Sequence, residues 1–294
     1  MIRRFNRIGI ALSFIVTLNG CSVGGAEHVH DIGTTRDDTA IAPQQSPVGG
    51  SSAPSERDVA RARELLDKAV QAMGGAVAID GVRTLVLRGK FEQRSAMGPF
   101  EAAITTTFVF PDRMRRDLVL PNGTTVSTIY TPEAAFLASG DGATDYPSDE
   151  RLALEASVMR NPLALLKARN DPAFRVSAPG VLTTGAVRHT VLRIAVGKET
   201  ADLLLDDNAA IVEWHFDVKT ASGETIPGGG RVRYSDFRPA GDLILPYASD
   251  GVSGGGQVYS TRLDVIELNR PIAPGVFDRP VATGENTTTV PKRG

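Results

Sequence analysis

Cys21 is the only cysteine among 294 residues, so no disulfide forms within the chain and its stability rests on an ordinary core. Neither sign of charge dominates. Lys and Arg number 32 against 34 Asp and Glu, a net charge of −2, which implies neither nucleic acid nor an acidic surface as partner. Long apolar runs are missing beyond Ile8–Leu18, itself too short to span a bilayer comfortably. The chain has no Gly-rich phosphate loop, no zinc-type spacing of Cys and His, and no internal repeat. These absences argue against a disulfide scaffold and a chain of several membrane helices, and they leave no cofactor and no metal implied.

What is present starts at the amino end. Arg3, Arg4 and Arg7 form a basic lead to the apolar run, so residues 1–20 read as a signal peptide. Removing them leaves 29 basic against 34 acidic residues, a net charge of −5. The run ends at Leu18-Asn19-Gly20-Cys21, which resembles the bacterial lipobox. That resemblance implies that Cys21 carries a diacylglyceryl group and an amide-linked chain such as palmitate. Several acyl chains anchor a protein stably, where one is marginal at ~0.8 kcal/mol per buried CH₂. Ser22, where inner-membrane retention uses an aspartate, implies an outer-membrane, periplasm-facing lipoprotein. The plainer alternative is an ordinary signal peptide with a chance cysteine.

Residues 21–54 are rich in Gly, Ser, Thr, Pro, Asp and Gln, and they read as a flexible tether. His28 and His30 lie in it, but a tether does not preorganise metal ligands. The folded domain is expected over 55–280, with a polar, disordered tail over 281–294. Ser55 is a good N-cap with Asp58 three residues on. Val59, Ala62, Leu66, Ala69, Val70 and Met73 then recur at helical spacing before Gly74-Gly75. A second long helix is expected over Asp149–Arg169, with Leu152, Ala156, Met159, Leu163 and Leu166 on its stripe and Pro162 kinking or splitting it.

The rest reads as strands. In Phe100–Phe110 the residues Phe100, Ala102, Ile104, Thr106, Phe108 and Phe110 share one face, which is almost wholly apolar. Pro111-Asp112 breaks this strand, Arg113–Leu120 resumes it, and Pro121-Asn122-Gly123 makes a hairpin turn. Val212, Trp214, Phe216 and Val218 share a later face, opposite Glu213, His215, Asp217 and Lys219. The fold class is therefore mainly β (α+β): a curved antiparallel sheet or incomplete β-barrel of about 11 strands, with helices covering its concave side.

The order helix, Gly-Gly, strand, meander, helix, strands resembles the LolA-like fold of bacterial lipoprotein-sorting proteins. The likeness is carried by Phe110–Arg115 (FPDRMR) as a strand–Pro–strand corner, Pro162–Asn170 (PLALLKARN) as the end of a mid-chain helix, and Pro271–Pro280 (PIAPGVFDRP) as a closing segment. It implies an incomplete barrel that binds acyl chains in a hydrophobic cavity and performs no chemistry. With the anchor at Cys21, it implies a membrane-bound binder of a lipid or acylated lipoprotein, engaged in lipid or lipoprotein transport or sorting. The position that the resemblance gives to a lid-closing arginine is held by Phe110, so that latch is absent or differently built.

A greasy sheet face under a broad apolar helix can enclose a ligand. Fully sequestering about fourteen methylenes at ~0.8 kcal/mol each releases about 11 kcal/mol before ordering costs. The candidate lining is Phe100, Ile104, Phe108 and Phe110 from the sheet, with Met159, Leu163 and Leu166 from the helix. The alternative is that these residues pack as a filled core in a structural or interaction lipoprotein. A third reading is an esterase using Ser253, since Gly251-Val252-Ser253-Gly254-Gly255 matches Gly-x-Ser-x-Gly. That motif needs a strand before it and a helix after it, and here a strand is expected on each side. His189 and His215 lack partners at ligand spacing, and Asp206-Asp207 reads as a turn. Arg113, Arg115 and Arg116 form a basic cluster that can meet lipid headgroups or keep a strand edge solvated.

Overall fold

A computed structural model describes residues 55–95, 98–140, 142–184, 186–196, 199–219, 225–252 and 257–280. Cys21, the tether, Ser253 and the tail from 281 lie outside the described residues.

Helix α1 (Glu56–Met73) begins as expected. Ser55 accepts the Asp58 N–H at 3.2 Å while the Asp58 carboxylate accepts the Ser55 N–H, closing a capping box. Its stripe buries Ala62, Leu66, Ala69, Val70 and Met73. A short α2 (Ala76–Gly81) follows and leads into the sheet.

Among the described residues thirteen antiparallel strands form the expected open sheet. The first meander is β1 (Thr84–Ser95), β2 (Gly98–Val109), β3 (Arg113–Val119), β4 (Thr125–Tyr130), β5 (Ala135–Ser139) and β6 (Gly142–Asp145). The second is β7 (Arg175–Thr184), β8 (Val187–Val196), β9 (Glu199–Leu205), β10 (Ile211–Lys219), β11 (Thr225–Ala240), β12 (Leu243–Val252) and β13 (Val258–Leu268). Pairing of β1 with β13 joins the two, and the sheet stays open at β6 and β7. The short polar β6 carried no period-2 signal; it exists because β5 offers it a partner.

The expected helix over Asp149–Arg169 is two helices, α3 (Ser148–Met159) and α4 (Pro162–Lys167), followed by a 3₁₀ turn at Ala168–Asn170. Pro162 takes the first position of α4, and Asn161 caps it by accepting the Leu163 N–H at 2.9 Å. On β10 a bulge between Ile211 and Glu213 sends Ile211, rather than Val212, into the core beside Trp214 and Phe216.

The main core lies between the concave face and the helices, joining α1, α3 and α4 to Phe108, Met114, Leu192, Leu203, Trp214 and Leu243. A second cluster holds Phe91, Ala102, Ile104 and Leu118. On the opposite face Ile129, Phe136 and Ala138 pack against Phe277 of the closing segment. There Arg115 donates to the Val276 carbonyl at 2.6 Å, and Arg279 lies over the Phe136 ring.

Candidate functional site: a hollow between sheet and helices

Strands β1–β3 and β10–β13 wall one side of a partly enclosed cavity of about 220 Å³. Ser157, Arg160 and Asn161, at the junction of α3 and α4, wall the other. The volume exceeds the ~150 Å³ of an apolar cavity that takes benzene and falls short of the ~300–1,000 Å³ of drug-sized pockets. It suits a single chain rather than several.

The lining is mostly apolar. Leu85, Leu87 and Phe91 of β1 face Ile104 and Phe108 of β2, with Leu245 and Tyr259 from the far side of the β1–β13 seam. Two rings in the wall lie across glycines: Phe216 pairs with Gly230, and Tyr259 with Gly251. An aromatic laid over a cross-strand glycine covers backbone that would otherwise be bare.

Hydroxyl and amide groups of Thr106, Ser157, Asn161, Ser249 and Thr261 interrupt the apolar wall, and its charged groups are of one sign. Among the described residues the lining includes Arg116 and Arg160 and no carboxylate. Arg116 sits on β3 between Met114 and Leu118, both buried, and opposite Thr106 and Thr128 in register. Its Nε is shielded from solvent and meets no hydrogen-bond acceptor. Burial pulls its guanidinium below the ordinary value, with Tyr259 and Tyr146 opposing. The Arg160 guanidinium lies 4.0 Å over the Phe216 ring, and its backbone carbonyl accepts the Tyr234 hydroxyl at 3.3 Å. Burial raises Tyr259 and Tyr234 above the usual phenol range.

The sequence candidates divide. Ile104 and Phe108 line the hollow. Phe100 stands off in the second cluster, edge-on to Phe91 at 6.4 Å. Phe110 stacks on Phe108 at 6.0 Å, and Lys167 of α4 reaches over its ring at 5.5 Å. Met159 lines a separate hollow of about 20 Å³ near Trp214. Leu163 and Leu166 do not line the main hollow; both are fully buried in the core. Sequence reasoning missed Arg116 as a wall residue, taking it with Arg113 and Arg115 as one cluster. In the sheet Arg115 points the other way, to Asp117 at 2.8 Å. The signal was available, since Arg116 shares the parity of Met114 and Leu118.

No known family profile matches the sequence, and no curated protein matches it either. Solved structures do. A LolA superfamily protein from Nitrosomonas europaea is 11% identical, with 74% of this chain and 96% of that one covered and a TM-score of 0.50. A DUF1329 family protein from Desulfovibrio piger is 9% identical, covering 74% of this chain and 97% of that one, with a TM-score of 0.52.

Proposed function

Taking its LolA-like fold as the premise, we propose that this protein is a lipid-anchored, periplasm-facing binding protein that holds an acyl chain of a lipid or lipoprotein. The observation that carries the reading is the largely apolar hollow between sheet and helices. A curved sheet of this size either fills its interior or encloses a ligand, and here part of the interior is open. The anchor belongs to Cys21, and its place is the outer membrane. Binding, not chemistry, is the activity in this reading, so Ser253 has no catalytic part.

Mass spectrometry of organic extracts from purified, untagged protein tests the binding. A co-purifying acyl lipid is expected, and its loss is expected in a Phe108→Arg variant that puts a charge in the wall. Repeated absence of lipid from the folded protein would favour the filled-core, interaction-module reading. Metabolic labelling with palmitate tests the anchor: label is expected in the parent chain and not in Cys21→Ser.

A further inference from the structure

Among the described residues, the walls of the hollow hold a cation, Arg116, and no acid that neutralises it. A guanidinium keeps its charge at any physiological pH, and transferring one out of water without a partner costs several kcal/mol. Among the described residues the arginine ion pairs are closed within 3.2 Å, as between Arg169 and Asp80 and between Arg193 and Asp202. Arg116 has no such pair among the described residues, and its Nε is shielded and unbonded. It is not a surface residue that happens to lack a partner. It occupies an inward rung of β3, between two buried apolar side chains, where Thr106 and Thr128 add neutral hydroxyl groups on either side. Arg160 lines the same hollow from the helix side, its guanidinium 4.0 Å over the Phe216 ring. The remaining lining is apolar or neutral. An apolar chamber with positive charge and no carboxylate complements a molecule with an apolar tail and an anionic head.

The geometry points to a single-chain anionic amphiphile as the ligand, its carboxylate or phosphate bound by Arg116 with Arg160 nearby and its tail lying along Phe108, Ile104 and Leu85. This rests on the acyl-binding reading and adds the head group to it. It also separates this site from one that takes the amide- or ester-linked chains of a lipoprotein, which bring no charge of their own to the chamber. The forked donors of Arg116 suit both head groups, so the head's source is left to the probes.

Titration calorimetry of the full-length protein with decanoate, decyl phosphate and 1-decanol tests it, since the three share one tail. The charged pair is expected to bind roughly tenfold to a hundredfold tighter than the alcohol. A stronger response to decanoate indicates a fatty acid, and a stronger response to decyl phosphate indicates a phosphorylated lipid head. Arg116→Met is expected to lose that preference while still binding decanol, and to melt higher than the parent because a half-buried charge without an acidic partner is gone. Equal affinity for decanol and the anions, or an undiminished preference in Arg116→Met, overturns the assignment while leaving acyl binding in place. Failure of all three probes sinks acyl binding and this inference together. Should Arg116→Met not fold, the ranking of the probes on the parent chain decides alone, with Arg160→Met as the second variant.

Discussion

The ring of Tyr259 lies where a side chain at Gly251 would begin. A Cβ on Gly251 would stand 2.1 Å from Cζ of Tyr259, its antiparallel partner across β12 and β13. The glycine therefore lets the ring lie flat on the sheet, where it stacks with Phe91 at 6.3 Å and forms part of the chamber wall. Gly251→Ala must push the ring off. The expected cost is about 1–3 kcal/mol, as for other overpacked sites. Urea unfolding followed by the fluorescence of Trp214, the chain's one tryptophan, measures it.

Leu166 and Phe108 should behave differently although both are apolar and buried. Leu166 is closed in by core on all sides, so Leu166→Ala should lose about 2–5 kcal/mol. It should leave the affinity for an acyl probe within a factor of about three. Phe108→Ala enlarges the chamber itself, so its effect should appear in probe affinity as well as in stability. Paired denaturation and binding measurements on the two variants separate wall from core.

The helical cover is tied down at its end. Arg169 holds the Asp80 carboxylate through two bonds of 2.8 and 2.6 Å, and Lys167 donates to the carbonyls of Ile79 and Asp80 at 3.1 Å. The hydrogen bond from Arg169 keeps Asp80 below the usual carboxylate range. Because Asp80 is half-exposed, Arg169→Met should cost no more than about 1 kcal/mol overall. Its effect should be local, with faster amide exchange in α4 and unchanged exchange in β2 and β3, read by hydrogen–deuterium exchange.

Glu213 is the buried acid of the opposite face, bonded to His215 Nε2 at 2.7 Å and to Arg233 Nε at 3.2 Å. Burial pushes its carboxyl up, but the hydrogen bond and charge of His215, together with Arg233, bring it to a net position below its ordinary 4.5. A carboxyl lowered on folding stabilises the native state above its unfolded pKa, and that contribution is lost as pH falls through the folded value. Acidification below about pH 4.5 should therefore destabilise the parent chain more steeply than Glu213→Gln. At pH 7 the variant should itself be weaker by about 1–3 kcal/mol. Thermal melts from pH 7 to pH 3 check both.

Ser253→Ala should leave any hydrolysis of short p-nitrophenyl esters at the level of the parent protein. Loss of a measurable activity in that variant would bring back the esterase reading, since Gly251 and Val252 already end a strand, as a nucleophile elbow requires.

Helix α1 could be read almost residue by residue, and so could the apolar parity of β2. Caps act over three or four residues, and the periods of 3.6 and 2 come from the backbone itself, so both are written locally. The Pro121-Asn122-Gly123 hairpin is local for the same reason, and β3 and β4 pair across it as the turn chemistry demands. The splitting of the second helix at Pro162 was half legible: the proline announced a break, and the cap at Asn161 turned it into a clean restart.

Which parts of the apolar face would stay open could not be read that way. Ile104 and Phe108 meet the chamber, Phe100 does not, and Leu163 and Leu166 vanish into core, although all carry the same periodic signal. The difference arises because β1 pairs with β13, residues far apart in the chain, and brings Tyr259 and Phe216 over their glycines into one wall. It arises too because Arg116 arrives from β3 with no acid to meet it among the described residues. A void of about 220 Å³ is the residue left when the volumes of many side chains from distant segments are fitted together. Composition and periodicity are sums over neighbours in sequence, and they settle which faces are buried. Whether burial closes into solid packing or leaves a chamber with a charge in it is a matter of distances between segments, which exist only once the sheet has curved and the helices have been laid across it.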